Sequence, residues 1–172
     1  MKMLVLAGLC LMSAPLFAAP RLAITEFELN DITSLPNTQA ELVRTGSMKA
    51  LLEENLRQSS DFTVVAVDTT ALLASKPEFN YLFKSAEAAA ALGKQAGADW
   101  IVVNQHSKPS FLFSYLMAHL IHVPSGKQIA AFDVELKGNH EKVTHRAIAS
   151  LAKKIVAVIN AYGQKPLAGK ME

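Results

Sequence analysis

FLFSYLMAHLIHV at residues 111–123, PSGK at 124–127 and QIAAFDVELK at 128–137 decide the fold. Two runs rich in aromatic and β-branched residues flank a Pro-Ser-Gly turn, which is how a β-hairpin is written in sequence. With Val123 opposite Gln128, alternation puts Phe113, Tyr115, Met117, His119 and Ile121 on one face with Phe132, Val134 and Leu136. That face is expected in the core. The opposite face carries Leu112, Leu116, Leu120 and His122 beside Ile129, Ala131, Asp133 and Glu135. It is expected to be half covered, which makes Leu112, Leu116 and Leu120 a candidate interface.

Working back from the hairpin, Asp99 to Gln105, with Trp100-Ile101-Val102-Val103 at its centre, reads as a buried strand. Ahead of it Ser85 caps an alanine-rich helix that Gly97 ends. Arg21 to Leu29 alternates as a first strand, and Asn30 to Asn37 forms a loop. Thr38-Gln39-Ala40-Glu41 fits a capping box opening a helix to about Gln58. Leu42, Thr45, Met48, Leu51, Leu52 and Leu56 line that helix's sheet side, leaving Arg44, Glu53 and Arg57 outside. After a Ser59–Asp61 turn, Phe62 to Val67 is a further strand. Beyond the hairpin, Asn139 caps a last helix whose stripe runs from Val143 through Ile148, Leu151 and Ile155 to Tyr162, and Gly163 stops it. The order β-α-β-α-β-β-β-α asks for an α/β (α+β) fold: a mixed sheet of about five strands, a C-terminal hairpin and a final packing helix.

Residues 1–18 read as a cleaved signal peptide, with Lys2, an apolar run from Met3 to Met12, and small residues around the expected cut after Ala18. The run is too short and too interrupted by Ser13-Ala14-Pro15 for a spanning helix. Residues 19–163 are then one domain and 164–172 a frayed tail, in a periplasmic protein with no transmembrane anchor after cleavage. Cleavage removes Cys10, the single cysteine, and with it thiolate chemistry, disulfides and cysteine metal ligation. The formal charge of +2, lowered by the loss of Lys2, and the absence of basic clusters argue against nucleic acid.

The element order, together with Gly97-Ala98-Asp99-Trp100-Ile101-Val102-Val103 and Pro124-Ser125-Gly126-Lys127, resembles the amino-terminal domain of the TolB family and the curli-secretion lipoprotein. Lys108-Pro109-Ser110, Ser125-Gly126-Lys127 and Glu135-Leu136-Lys137-Gly138-Asn139 followed by Arg146 are similar to a family of small secreted bacterial proteins of unknown function. That resemblance spans roughly Leu22 to Lys154. It implies an association of some members with periplasmic quinoprotein alcohol dehydrogenases. A cysteine pair frequent in that family is missing from Phe79 to Ser85, and its chemistry with it.

The residues that carry the family resemblance, Lys108, Glu135, Lys137, Asn139 and Arg146, form either a binding site or a brace in which Arg146 pairs with Glu135 or a strand carbonyl. His119 and His122, three apart on a strand, point to opposite faces and do not share a metal. Asp133 and Glu135 could act together as paired carboxylates in an enzyme, but an exposed strand face does not raise a pKa. No Gly-x-Ser-x-Gly elbow is present. The sequence expects no cofactor, no metal and no catalysis. The leading reading is a non-enzymatic periplasmic accessory module that binds another periplasmic or envelope protein. The alternatives are a small-ligand-binding protein in support of periplasmic alcohol oxidation and an enzyme using Asp133 or Glu135.

Overall fold

The computed structural model describes residues 19–33, 35–59, 62–68, 78–138 and 141–164. The expected leader 1–18, the Asn139 cap, Ser60 and Asp61 of the expected turn, and all of the expected tail but Gln164 lie outside them. The elements are β1 (Arg21–Asp31), α1 (Gln39–Ser59), β2 (Thr63–Val65), α2 (Tyr81–Lys84), α3 (Ala86–Gln95), β3 (Trp100–Lys108), β4 (Phe113–His122), β5 (Lys127–Lys137) and α4 (Glu141–Gly163). One mixed sheet has the order β2-β1-β3-β4-β5. β1 runs parallel to β2 and β3, and β3, β4 and β5 are successively antiparallel. The expected mixed α/β architecture is present, with α2 as an added short helix.

The hairpin register differs from the expected one, and the difference decides which leucines are core. Val123–Ser125 form a single 3-10 turn, and Gly126, at φ 66°, takes the left-handed conformation that brings His122 opposite Lys127. Ile121 pairs with Gln128 but Leu120 with Ala130, so Ile129 is an extra residue in β5, a β-bulge. Beyond the bulge Leu116 faces Val134 and Ser114 faces Leu136. A slip of one residue exchanges faces. Phe132, Val134 and Leu136 therefore lie with Leu116, Ala118 and Leu120, and the expected core face is corrected accordingly.

That face is covered by α1 and α4. Leu22, Ile24 and Val102 from the sheet pack with Leu116 and Leu120 against Met48, Leu52, Ile148, Leu151 and Ile155. Each such side chain, removed from water, contributes roughly 1.5–3 kcal/mol before the entropy of ordering it is charged. The other face is covered by α2 and α3 over its centre, where Ala23, Ile101, Val103 and Ile121 meet Leu82, Ala89 and Leu92. Tyr115, Met117 and His119 on that face are only half-buried, and Asp133 and Glu135 beside them are exposed.

Ser85 caps α3 as its position implies, its hydroxyl accepting from the Ala88 amide at 3.2 Å. Ser85→Ala is expected to cost about 1 kcal/mol, visible as a fall of roughly 2–4 °C in Tm by calorimetry. Gly93 has a packing reason: a Cβ there would meet Val123 Cγ2 at 2.6 Å and Ile101 Cβ at 3.2 Å, so only glycine lets α3 approach the sheet this closely. No helix of the described residues is long and apolar enough to cross a membrane.

Candidate functional site

Because β1 and β3 are parallel, both end at the same pole of the sheet, one in Asp31 and the other in Lys108. Residues 32–38 lead from this pole into α1, and residues 109–112 lead into β4. In sheets with parallel strands such carboxyl ends are the usual place for binding groups. The Lys108 ammonium donates to Asp31 Oδ2 at 2.8 Å, and Thr33 donates to Asp31 Oδ1 through its amide at 2.8 Å and its hydroxyl at 2.6 Å. Burial pushes the Asp31 carboxyl up, but the Lys108 and Thr33 hydrogen bonds outweigh it and hold the pKa at about 2.

Glu41 was expected to complete a capping box. Thr38 Oγ1 does accept from the Glu41 amide at 3.2 Å, but the carboxylate is buried among cations. Its Oε1 stands 3.6 Å from Arg44 Nη1 and 3.7 Å from His106 Nε2, and its Oε2 stands 3.7 Å from Lys108 Nζ. Oε1 accepts no hydrogen bond among the described residues. The inner stripe of α1 is thus Glu41, Thr45, Met48, Leu52 and Leu56, while Leu42, expected inside, is 47% exposed. Arg44, expected outside, turns inward, with its Nε donating to Thr144 Oγ1 at 2.8 Å and its Nη2 to the Gly138 carbonyl at 3.2 Å. One side chain thereby ties α1 to the start of α4 and the end of β5.

His106 lies at the centre of this cluster with no exposed side-chain surface. Thr45 Oγ1 donates to the Glu41 carbonyl at 3.0 Å, so at 2.8 Å from His106 Nδ1 it accepts from the ring. Nε2 is then the acceptor for the Ser114 hydroxyl at 3.0 Å. Burial, reinforced by the Arg44 and Lys108 charges and opposed by the Asp31 charge, lowers the His106 pKa to about 4. Ser114 and His106 have the spacing of a nucleophile and its base. A ring of such low basicity is a weak proton acceptor at neutral pH, and Glu41 stands beside Nε2 instead of behind Nδ1, where a triad carboxylate would steady the imidazolium.

The linkage has a definite sign. The folded pKa of His106 lies below its unfolded value near 6.5, so its contribution is full above pH 6.5 and is lost as pH falls toward 4. The shift corresponds to about 3 kcal/mol. Urea unfolding from pH 7.5 to 4 is expected to show that loss, and His106→Gln is expected to remove it. An unchanged slope in the variant would contradict the assignment. The Asp31 contribution disappears only below about pH 3.8, outside that window.

Exposed apolar side chains stand around the cluster, among polar ones. Among the described residues eight large hydrophobic side chains are exposed, and seven belong to this pole: Ile32 and Leu35 before α1, Leu42 and Val43 in its first turns, Phe111 and Leu112 between β3 and β4, and Phe113 at the start of β4. Phe79 is the eighth. A recess of about 150 Å³ opens between the two loops, with Leu35, Pro36, Phe111 and Phe113 beside Glu41, Lys108 and Ser114.

The sequence-derived candidates are scattered relative to this pole. Leu112 is on it and 81% exposed, but Leu116 and Leu120 are fully buried beneath α1 and α4, so they are core and not interface; the bulge at Ile129 is the reason. Lys108 joins the buried cluster. Glu135, Lys137 and Arg146 line a separate groove of about 320 Å³ between β5 and α4, where Lys137 meets Glu135 at 3.4 Å. Arg146 Nε donates to the Lys142 carbonyl of its own helix at 3.4 Å, so the brace expected of it is made by Arg44 instead. His119 stacks on Phe83 and His122 packs against Trp100 and Tyr162, on opposite faces as the strand requires. Among the described residues no cluster of three His, Cys, Asp or Glu could hold a metal ion. His106, Arg44 and Glu41 were missed. The available signal was the polar run Asn104-Gln105-His106 in a central strand, where each polar group needs a buried partner.

Residues 20–156 match the family model described as Protein of unknown function (DUF2380). The chain belongs to that family. No curated protein matches it. Among solved structures it is similar to TolB from Acinetobacter baumannii at 15% identity and a TM-score of 0.51, over 83% of this chain and 29% of that one. It is also similar to the PelC dodecamer from Paraburkholderia phytofirmans, at 12% identity and a TM-score of 0.52, over 83% of this chain and 88% of that one. The LpoB C-terminal domain from Salmonella enterica matches at 16% identity and a TM-score of 0.47, over 70% and 84% of the two chains. The chain spans under a third of TolB. At these identities TolB and PelC show a shared fold, and the family of unknown function has the TolB-like architecture expected from the sequence.

Proposed function

We propose that this chain is a non-enzymatic accessory protein of the periplasm that binds another exported or envelope protein through its apolar pole. The observation that carries the reading is the concentration of seven exposed apolar side chains at the carboxyl ends of β1 and β3. Apolar surface gathered in one place is a mark of interfaces, whereas single exposed leucines are ordinary. The buried Asp31, Lys108, Glu41 and Arg44 cluster serves as the rigid floor that holds both loops. In this reading residues 1–18 are a leader removed after Ala18, residues 19–163 are one domain, and 164–172 are a tail. Leu112 remains an interface residue, and Glu135, Lys137 and Arg146 flank the contact.

The test is affinity capture of the tagged mature chain from its native periplasm after crosslinking. One exported protein is expected to be enriched, with recovery falling at least tenfold for Leu112→Asp and Val43→Asp and unchanged for Phe79→Asp. Equal recovery across all three variants, or no specific protein, overturns the reading.

A second reading, small-ligand binding, is favoured by a groove of about 610 Å³ between α1 and α4, lined by Val43, Arg44, Ser47, Leu51, Thr144 and His145. That volume is in the range of small-molecule sites. It expects saturable thermal stabilisation by a periplasmic metabolite, which the protein-binding reading does not require.

A further inference from the structure

The sheet ends on β5, and no described segment pairs with the outer edge of that strand. The strand at the other end of the sheet, β2, is three residues long, whereas β5 has eleven and contains no proline. The bulge at Ile129 leaves the stretch from Ala131 to Lys137 regular. A free edge of this kind presents amides and carbonyls that can take up another strand. One contact shows which groups are free: Lys154 on α4 donates to the Asp133 carbonyl at 3.2 Å. Backbone groups alternate in direction along an antiparallel strand, so those of Ala131, Glu135 and Lys137 point outward together with those of Asp133. A row of donors and acceptors at that spacing is matched by an extended backbone.

The space beside this edge suits particular side chains. The groove of about 320 Å³ between β5 and α4 has Val134, Val143 and Ala147 as its apolar floor. Its helical wall is the stripe of Arg146, Ser150 and Lys154, which their spacing puts on one side of α4. Neither cation of the stripe has a carboxylate partner among the described residues: Arg146 donates to the Lys142 carbonyl of its own helix, and Lys154 to the Asp133 carbonyl. Along the helix, Arg146 and Lys154 are about 12 Å apart. Four residues of a strand cover about 13 Å. A strand laid along β5 therefore brings its residues i and i+4 to the two cations and its residue i+2 over the apolar floor. All three face α4, because strand side chains alternate.

We propose that β5 accepts an added strand from a protein partner, an extended segment of the form acidic-x-apolar-x-acidic whose carboxylates meet Arg146 and Lys154. Lys154 then leaves the Asp133 carbonyl to an amide of the incoming strand. A basic segment would meet the same two charges in repulsion, so charge selects among segments that the backbone alone does not tell apart. This contact goes beyond the one at the pole and rests on other observations, so either can fail without the other.

The probe is the peptide acetyl-Thr-Glu-Thr-Val-Thr-Glu-Thr-amide, compared with the same peptide carrying lysine in place of both glutamates. Each is titrated into the isotope-labelled mature chain and followed by NMR. Saturable shifts at Ala131, Asp133, Glu135 and Lys137 are expected, with the glutamate peptide about tenfold tighter, as two exposed charge pairs provide. At saturation, amide exchange is expected to slow at these four positions and to stay unchanged at Phe132, Val134 and Leu136, which face β4. Arg146→Gln combined with Lys154→Gln alters two exposed side chains and is expected to bring the two peptides within about twofold of each other. Equal affinity of the two peptides for the unaltered chain, slowing that does not alternate along β5, or no saturable shift overturns the added strand. A double variant that keeps the full preference for the glutamate peptide overturns the part assigned to Arg146 and Lys154.

Discussion

Leu120→Asp is expected to abolish cooperative folding, while Leu112→Asp is expected to leave the unfolding midpoint within about 0.5 kcal/mol of the parent. Both residues lie on one run of alternating leucines in the hairpin sequence, so the contrast measures the register directly. Leu120 has no exposed surface and lies in the cluster beneath α1 and α4. A carboxylate there loses its hydration with no partner, and the lost leucine adds a packing defect; together these exceed the roughly 5–15 kcal/mol that holds such a domain folded. Leu112 is 81% exposed and has little to lose. Circular dichroism melts of the two purified variants separate the cases. Similar, mild effects at both positions would mean that β4 presents its even-numbered residues to solvent and that the bulge at Ile129 is absent.

Arg44→Ala is expected to cost roughly 4 kcal/mol, the size associated with breaking one partner out of a buried ion pair. The guanidinium is 11% exposed and the Glu41 carboxylate 8%, so solvent does little to screen the loss. Among the described residues at least three attachments go at once: the ion pair with Glu41, the bond to Thr144 on α4 and the bond to the Gly138 carbonyl. Glu41, already short of a donor, is left with Lys108 and a neutral His106. Urea denaturation should show a lower midpoint with a nearly unchanged slope. Hydrogen exchange should show loosened amides first at the start of α4. A cost below 1 kcal/mol would mean that the cluster is a solvated surface feature and not the floor of the pole.

The parts of the fold that sequence reveals are those governed by local chemistry. Ser85 caps α3 because its hydroxyl can reach an amide three residues on, and that geometry needs no tertiary information. The stripe on α4 is legible because its apolar residues recur at helical spacing over the whole element. The hairpin itself is legible, but its faces are not. A single unpaired residue, Ile129, sets them, and nothing local distinguishes it from the alanines that follow.

The site was hidden for a related reason. On α1, Glu41 occupies the helical position that continues the stripe of Thr45, Met48, Leu52 and Leu56, yet a charged residue beside Leu42 reads as the solvated neighbour. Its burial is compensated by Arg44, one turn further along α1, and by Lys108, which comes from the far end of β3 and meets it only in the folded chain. The expected strand ended at Gln105, one residue short of the histidine that organises them. Lys108 was singled out through the family resemblance, and it proves to hold the end of β3 to the end of β1.

Photocrosslinking in living cells tests most directly the proposal that this chain meets another protein at its apolar pole. Benzoylphenylalanine in place of Val43 or Leu112 at the pole, and in place of Phe79 or Lys154 away from it, probes the surface without purification. One discrete adduct, shared by the two pole positions and missing from the other two, is the expected result. No adduct at the pole, or the same adducts from all four positions, would contradict the account.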